Sequence, residues 1–397
     1  MKNTGSIVIL SAIMLINALA YGTIIPLLYP YASRFGINPL GLSILFASFS
    51  AAQLIATPII GRLSDRYGRK PMLVFSILGT TISLAMFAAA RNVVMLYVSR
   101  LIDGVTGGNI SVAQAVIADT VPMKNRTKYF GILGASFGFG FLAGPALGGV
   151  LSQYGITAPF WFSAGLALLA TVGAVLFLKE TVHLSVERKR AKHEPLFRLS
   201  HYTHALFSPA IGLVLFVSFL TSVGYNGWII GFQAFTNDVL HLTPRDIGMI
   251  FALSGVFSIL MQGVVLPILI KLFPDKKKVL TTSICLSVVS LLGFFFVHSF
   301  ISFILIVLVF TIVTAPQAPM ITAILSERTR KEDQGGSLGI NQSYISFGQI
   351  LGPLAAGAIT LIAVRYVFLL NAAMFAFALL ATIPLYAAVK KKQRLDL

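Results

Sequence analysis

Two ionisable residues, Arg100 and Asp103, lie inside a long apolar stretch of the sequence. Ionisable side chains at the depth of a bilayer are costly and usually serve a function. A helix that begins near Val93 would place Asp103 about 15 Å along its axis, close to the middle of the bilayer. The i, i+3 spacing puts the two side chains on neighbouring faces, where they can pair.

This pair has a chemistry that suits proton transfer. Burial favours the uncharged carboxyl group, whereas a neighbouring guanidinium favours the carboxylate. A substrate or a rearrangement that breaks the pair would therefore change the proton occupancy of Asp103. The alternative interpretation is a static buried ion pair that sets helix packing. We take Asp103 and Arg100 as candidate proton-coupling residues.

The composition indicates a membrane protein, because 56% of the 397 residues are hydrophobic and only 11% are charged. Soluble domains carry about 25% charged residues. A large soluble enzyme and a disordered chain are thereby excluded, and the single cysteine excludes a disulfide scaffold. A spanning helix needs about 20 mainly apolar residues. Twelve such stretches occur, at 5–29, 41–61, 71–90, 93–118, 128–152, 158–178, 208–235, 246–270, 279–297, 300–324, 338–362 and 366–389. We expect an all-α integral membrane fold, in which the first stretch is a spanning helix and not a cleaved leader.

The charge distribution predicts which way the chain crosses the membrane. Lys and Arg number 30 against 13 Asp and Glu, a net charge of +17. If the N-terminus is cytoplasmic, most basic residues fall in the inner loops, and the outer loops hold only Arg34, Arg91, Arg245 and Arg365. This asymmetry follows the positive-inside rule. We expect both termini in the cytoplasm, a multi-pass location in a bacterial inner (plasma) membrane, and no nucleic-acid partner.

The twelve stretches divide into two related halves. A polar interval at 179–207 separates six spans from six, and residues 131–149 share seven identities with residues 339–357 at an offset of 208. Related six-span halves are typical of transporters built from parallel repeats. We expect an N-terminal six-helix bundle at 1–178, a cytoplasmic linker at 179–207, and a C-terminal bundle with a short basic tail at 208–397.

A short run between the second and third spans combines glycine, acid and base at fixed spacing. It reads GRLSDRYGRKP from Gly61 to Pro71. Its glycines permit a reversal of the backbone, and Pro71 suits the first turn of the next helix. The run could serve topology alone, but the G-x-x-x-D-x-x-G-R-K spacing is more than topology requires. The candidate residues are Gly61, Asp65, Arg66, Gly68, Arg69 and Lys70.

The fifth span carries a stripe of small residues. Gly140, Gly144 and Gly148 lie at i, i+4 and i+8, where a partner helix can approach closely. Pro145 removes one backbone donor and can bend the helix. We expect these residues and Gly149 to form a hinge as well as a packing surface.

Three motifs resemble signatures of the major facilitator superfamily, in particular of its drug/proton antiporter branch. The run from Gly61 resembles the signature between the second and third helices at every defined position. Residues 140–149 match G-x-x-x-G-P-x-x-G-G of the fifth helix, and Arg100 with Gly104 matches R-x-x-x-G of the fourth. Residues 100–120 are most similar to tetracycline-type and multidrug exporters. The resemblance covers essentially the whole chain and implies twelve transmembrane helices in two pseudo-symmetric six-helix bundles.

The resemblance also implies roles for particular residues. The run from Gly61 would act as a conformational latch, in which Arg69 pairs with Asp119 at the cytoplasmic end of the fourth span. Simple solvation at a helix end is the alternative for Asp119. Many drug/proton antiporters carry an acid in the first span, where this chain has Asn17, and this difference leaves Asp103 as the candidate coupling acid. We call the seven residues Gly61, Asp65, Arg66, Gly68, Arg69, Lys70 and Asp119 the candidate latch.

Polar and aromatic residues within the spans are candidates for a substrate cavity. Gln317 lies between Pro316 and Pro319, where a broken helix could expose carbonyl groups. For any single residue a hydrogen bond between helices is an equal alternative. Together, amides and aromatic rings with few charges favour an amphiphilic or weakly charged solute. The candidates are Asn17, Tyr21, Asn109, Gln114, Tyr225, Asn226, Trp228, Gln317, Asn341, Gln342 and Tyr344.

These features predict a proton-coupled efflux antiporter for drug-like or amphiphilic small molecules that works by rocker-switch alternating access. No phosphate-binding loop and no metal-ligand spacing occurs in the sequence. We therefore expect no enzyme activity, no catalytic residue, no metal and no cofactor, with the proton gradient as the energy source. The expected partners are the substrate, protons and the lipid bilayer, and the chain would act as a monomer. A symporter or uniporter of a metabolite such as a sugar or organic anion, a lipid flippase and a membrane sensor are the alternatives.

Overall fold

The computed structural model describes residues 4–121, 123–181, 206–208, 211–329 and 334–393. Within these residues the chain is helical and contains no strand, which confirms the expected all-α class. The α-helices of the first half are α1 (Thr4–Ile24), α2 (Leu28–Ala32), α3 (Pro39–Tyr67), α4 (Arg69–Ala88), α5 (Val93–Thr106), α6 (Asn109–Thr120), α7 (Met123–Leu151) and α8 (Ala158–Phe177). Those of the second half are α9 (Gly212–Ala234), α10 (Pro244–Leu260), α11 (Leu266–Leu272), α12 (Lys276–Phe295), α13 (Phe300–Thr314), α14 (Gln317–Glu327), α15 (Gln334–Thr360) and α16 (Tyr366–Gln393).

Ten helical stretches in the described part of the chain are long and apolar enough to cross a membrane. The long helices α7 and α15 are not among these ten, so the count of twelve spans stays a prediction, as does the side on which the termini lie. Large apolar side chains are exposed along the helices, for example Leu169 (57%), Leu176 (66%) and Ile301 (71%). Such a surface suits lipid tails, because no water contacts it in a bilayer.

Two of the predicted spans are interrupted at corresponding positions of the two halves. The fourth, predicted at 93–118, is present as one membrane-spanning stretch, Val93–Thr120, and Gly107 and Gly108 divide it into α5 and α6. Paired glycines weaken a helix because they lack the steric restriction that other residues impose on the backbone. The tenth is divided at Ala315 and Pro316 into α13 and α14, next to Gln317, where the two prolines allowed a broken helix.

Hydroxyl groups satisfy carbonyl groups that these breaks release. Thr57 Oγ1 donates to the Gly107 carbonyl oxygen at 3.1 Å. Ser283 Oγ donates to the Val313 carbonyl oxygen at 2.5 Å. Each donor belongs to a different helix from the one that is broken, so contacts within the unit stabilise both breaks.

The structure divides into two compact units. The first contains the described residues of Met1–Asn38, Ser48–Leu196 and Leu242–Ala252, and the second those of Pro39–Ala47, Phe197–His241 and Leu253–Leu397. The short segments 39–47 and 242–252 thus group with the opposite half of the sequence. Most of the predicted linker at 179–207 lies outside the described residues, and the predicted domain boundaries stay a prediction.

The two units repeat one packing scheme. In the first, α1 packs against α7 and α8, and α4 packs against α8 and α5. In the second, α9 packs against α15 and α16, and α12 packs against α16 and α13. Each unit also has an aromatic core. The ring centres of Phe87 and Phe160 lie 5.1 Å apart in the first unit, with the rings tilted, and Phe294 and Phe368 stack at 4.7 Å in the second.

Candidate functional site

Asp103 is buried in the first unit, with 1% of its surface exposed, and has two hydroxyl donors and one guanidinium as partners. The Tyr21 hydroxyl of α1 donates to Oδ2, and Thr80 Oγ1 of α4 donates to Oδ1 at 3.0 Å. Arg100 Nη1 lies 3.4 Å from Oδ2. The carboxylate therefore connects α1, α4 and α5 and is satisfied as a charged acceptor.

Arg100 is equally buried, at 3% exposure, and has further partners beside the carboxylate. Its Nη2 donates to Ser83 Oγ at 3.2 Å, and its guanidinium carbon lies 4.9 Å from the centre of the Phe87 ring. Within the described residues its Nε has no hydrogen-bond partner. The predicted i, i+3 pair is therefore formed, and the guanidinium keeps a hydroxyl and a ring as neighbours when the carboxyl group is neutral.

Gly104 allows α5 to approach α3 at the level of this pair. A Cβ atom at Gly104 would lie 2.5 Å from the Phe49 carbonyl oxygen and 2.6 Å from the Ala52 Cβ. Only a glycine fits there without displacing backbone. The R-x-x-x-G spacing thus places the buried Arg100 and the close contact at Gly104 on successive turns of α5.

Arg69, at the start of α4, is the centre of the candidate latch. Its Nη1 lies 2.5 Å from Asp65 Oδ1 and donates to Ser64 Oγ at 2.7 Å, while its Nε donates to Asp119 Oδ2 at 2.8 Å. The pairing of Arg69 with Asp119, implied by the resemblance, is therefore present in the structure. Ends of three helices, α3, α4 and α6, meet at this guanidinium.

The other members of the candidate latch make fewer contacts than Arg69. Gly61 lies inside α3, with open space where a Cβ would point. The reversal occurs at Gly68, which has φ +109° and separates α3 from α4. Arg66 lies over the Tyr67 ring at 5.3 Å, and Lys70 donates its backbone N–H to Glu180.

Glu180 is a residue that the sequence did not single out. Its Oε1 accepts from the Arg69 N–H at 2.9 Å, and its Oε2 accepts from the Lys70 N–H at 3.1 Å. A carboxylate is stabilised at a helix N-terminus by these donors and by the helix dipole. Only an isolated acid after the sixth span was visible in the sequence, and nothing in its surroundings pointed to α4.

The predicted hinge residues of α7 pack against α1. Cβ atoms at Gly140 and Gly144 would lie 2.7 Å from the Leu19 nitrogen and 2.6 Å from the Thr23 nitrogen. Gly148 faces Thr23 as well, whereas Gly149 faces Gly248 of α10 within the same unit. Helix α7 continues through Pro145. The packing role is thus visible in the contacts, and the hinge role stays a prediction.

The cavity candidates of the first unit do not form one group. Tyr21 belongs to the Asp103 network, and Asn17 is buried with an Oδ1 that lacks a partner in the described part of the chain. Asn109 begins α6, where its Oδ1 accepts from the Ile110 N–H at 2.8 Å. Gln114 is exposed.

The second unit brings several cavity candidates into an aromatic group. Trp228 and Phe310 have ring centres 4.9 Å apart, and Tyr225 lies 5.9 Å from Trp228 with 44% of its surface exposed. The Trp228 indole N–H has no acceptor among the described residues. Gln317 Nε2 donates to Ser287 Oγ at 2.9 Å.

The remaining candidates of the second unit have separate positions. Asn226 Nδ2 donates to the Ser222 carbonyl oxygen at 2.8 Å. The rings of Tyr344 and Phe219 are nearly perpendicular, with centres 6.5 Å apart. Asn341 is buried, and Gln342 is exposed.

A hydroxyl ladder on α4 supplies the groups around the pair that the sequence analysis missed. Ser76, Thr80 and Ser83 lie at i, i+4 and i+7 and are buried. This spacing in an apolar helix is a readable signal, because it marks one polar face. Ser83 Oγ also donates to the Ser99 carbonyl oxygen at 2.7 Å, which ties α4 to α5.

Curated relatives of this chain include bacterial resistance proteins. It is 28% identical over 371 residues to "Multidrug resistance protein 2" of Bacillus subtilis (strain 168), covering 93% of this chain and 92% of that one. It is 30% identical over 387 residues to "Tetracycline resistance protein, class H" of Pasteurella multocida, covering 94% and 95%.

Solved transporter structures share the fold. The nucleoside transporter NupG superposes with a TM-score of 0.75 at 14% identity, covering 96% of this chain and 99% of that one. The human organic anion transporter MFSD10 (TETRAN) superposes with a TM-score of 0.69 at 20% identity, covering 96% and 100%.

The family model "Major Facilitator Superfamily" matches residues 10–274 and 214–396, and thus nearly the whole chain. This match confirms the resemblance drawn from the three motifs. It also confirms the predicted fold class and the interpretation as a multi-pass membrane transporter that is not an enzyme. The chain belongs to the Major Facilitator Superfamily.

Proposed function

We propose that this transporter is a proton-coupled antiporter that exports drug-like or amphiphilic small molecules across a bacterial inner membrane. The names of its multidrug and tetracycline resistance relatives support the substrate class and the direction. Transport follows rocker-switch alternating access by a monomer, with the proton gradient as the energy source and no cofactor. The bilayer, the substrate and protons are its partners.

The Asp103 network is the observation that carries the proton coupling. As a carboxylate, Asp103 accepts hydrogen bonds from Tyr21 and Thr80 and forms an ion pair with Arg100. Protonation removes its attraction for Arg100 and adds a donor where two donors and a cation already converge. The tie between α1, α4 and α5 weakens as a result. Proton occupancy is thereby linked to the packing of one unit.

The aromatic group of α9 and α13 supports an aromatic or amphiphilic substrate. Tyr225 and Phe310 lie nearly parallel, at an interplanar angle of 14°, and Trp228 contacts both rings. Ring faces bind flat apolar surfaces and cations without requiring a buried counter-charge. A strongly anionic substrate would require basic groups, and the buried Arg100 is already paired with Asp103.

The first test is transport by Asp103→Asn. Inverted membrane vesicles that contain this variant should lose proton-driven uptake of ethidium but keep counterflow exchange of the same dye. The amide preserves the shape of the side chain and cannot carry the proton. Asp246→Asn is the matched control, because Asp246 lies at the start of α10, where it accepts from Thr243. That control should transport like the wild type.

Unchanged proton-driven uptake by Asp103→Asn would exclude Asp103 as the coupling residue. The release of protons when the dye is added to detergent-solubilised protein is a second measurement. A metabolite uniporter should release none, and a flippase should instead move labelled lipid in reconstituted vesicles.

A further inference from the structure

The N-terminus of α4 has no capping side chain of its own. Gly68, in the capping position, has φ +109° and no side chain. Three of the first four residues of α4 carry a backbone N–H, because Pro71 has none. The carboxylate of Glu180 accepts from two of these, Arg69 and Lys70, with one oxygen each. The cap of α4 is therefore supplied from a distant part of the sequence.

Gly68 leaves the space that this carboxylate occupies. A Cβ atom at Gly68 would lie 2.4 Å from Glu180 Oε2. Two features therefore favour glycine at position 68: its positive φ, and the close approach of Glu180, which leaves no room for a Cβ atom. A larger residue at this position would displace the carboxylate from the helix end.

In the second unit, the corresponding helix is capped by a residue directly before it in the sequence. Helix α12 corresponds to α4, and Asp275 is its capping residue. Asp275 Oδ1 accepts from the Lys277 N–H at 3.0 Å. A residue next to a helix can cap it without tying it to another element. The remote cap of α4, unlike a local one, also connects α4 to the residues that follow α8.

That additional effect is a connection to the candidate latch. The backbone of Arg69 is bonded to Glu180, while its side chain binds Asp65 and Asp119. Glu180 follows the end of α8, and Leu178, two residues earlier, is 1% exposed in the apolar core that also contains Leu73. The end of α8 is thus fixed by packing, and Glu180 transmits its position to Arg69.

We propose that Glu180 is a positioning residue of the candidate latch, which ties the end of α8 to Arg69 and sets the geometry of the Arg69–Asp119 pair. The proposal rests on the proposed transport function for its effect on rate, but not for its effect on structure. Loss of the carboxylate loosens the start of α4, and the disturbance reaches the end of α6 through Arg69.

Hydrogen–deuterium exchange of the purified full-length protein tests the structural part. In Glu180→Ala, amides in residues 64–74 should exchange about tenfold faster, as expected for a lost cap. Residues 112–121, at the end of α6, should also exchange faster. Glu180→Gln keeps one acceptor oxygen and should lie between Glu180→Ala and the wild type. Asp275→Ala, the matched control that removes the cap of α12, should leave both segments unchanged and affect only residues 271–281.

Transport kinetics test the functional part. Proton-driven ethidium uptake by Glu180→Ala, normalised to folded protein, should show kcat lowered about fivefold to tenfold and KM unchanged within about twofold. Unchanged exchange in residues 64–74 overturns the proposal. Faster exchange confined to residues 64–74, or an unchanged kcat, reduces Glu180 to a local cap and overturns the positioning role. If the wild type moves no ethidium, the proposed function fails, and the exchange at residues 112–121 still decides the role of Glu180.

Discussion

Asp103 receives hydrogen bonds from hydroxyl groups on two other helices, and each bond fixes one of its oxygen atoms. Thr80 is the donor to Oδ1, whereas Arg100 Nη1 lies 3.4 Å from Oδ2. A hydrogen bond to a charged group contributes about 1.5–3 kcal/mol. Thr80 should therefore hold the carboxylate in the orientation that pairs with Arg100.

Thr80→Val tests whether this hydrogen bond orients the Asp103 carboxylate, because valine keeps the shape of the threonine side chain and lacks its hydroxyl group. Proton-driven ethidium uptake should fall about tenfold. Thr80→Ser retains the donor and should transport within about twofold of the wild type. Equal rates in the two variants would show that the shape of the residue matters and the hydrogen bond does not.

The sequence allowed only part of this site to be predicted. Arg100 and Asp103 share a helix, so their pairing follows from helical spacing alone. Tyr21 and Thr80 lie on other helices, and their contact with Asp103 depends on how α1 and α4 pack. Glu180 was not predicted for the same reason, because its partners lie far away in the sequence and only the folded unit brings them together.

At the scale of elements, the close approach of α5 to α3 fixes the position of the helix that carries Arg100 and Asp103. Gly104 lets α5 touch the backbone of α3, one turn after Arg100. Helix α5 ends at Thr106, before the break at Gly107 and Gly108. Periodicity and hydropathy predicted the span but not its interruption, because glycines also occur within helices, as Gly104 does, and hydropathy does not show that Gly107 and Gly108 divide this one.

Gly104→Ala should lower the stability of the protein, because the added methyl group meets the Phe49 carbonyl oxygen and the Ala52 side chain. Overpacking of this kind costs about 1–3 kcal/mol. Gly165→Ala in α8 is the control, since its Cβ would meet no atom within 4 Å. Thermal unfolding of the purified variants in detergent should show a lower midpoint for Gly104→Ala only. A lower midpoint for both would indicate a general effect of replacing glycine.

At the scale of the whole molecule, the two units share a scheme of packing but differ in where their charges are buried. An ion pair joins the start of α4 to the end of α6, between Arg69 and Asp119. A pair of the same kind joins the start of α12 to the end of α14, between Lys276 and Glu327. Residues 271–278, which precede and begin α12, read KLFPDKKK and do not carry the G-x-x-x-D-x-x-G-R-K spacing. The repeated ion pair is visible only in the folded units.

The environments of these two pairs predict unequal effects on transport. The side chains of Arg69 and Asp119 are 9% and 28% exposed, whereas those of Lys276 and Glu327 are 31% and 57% exposed. An exposed ion pair contributes about 0–1 kcal/mol because water screens it, while the buried Arg69 would lose one of its two acids and keep the cost of its desolvation. The loss of one acid should therefore matter more in the first unit.

Asp119→Asn should lower proton-driven ethidium uptake about tenfold, and Glu327→Gln should lower it less than about threefold. The two substitutions are matched, since each removes one negative charge and keeps the size of the side chain. Uptake at low and high salt separates the two cases further, because screening weakens only the exposed pair. Equal losses in both variants would contradict the link between burial and function, and would assign the same mechanical role to both units.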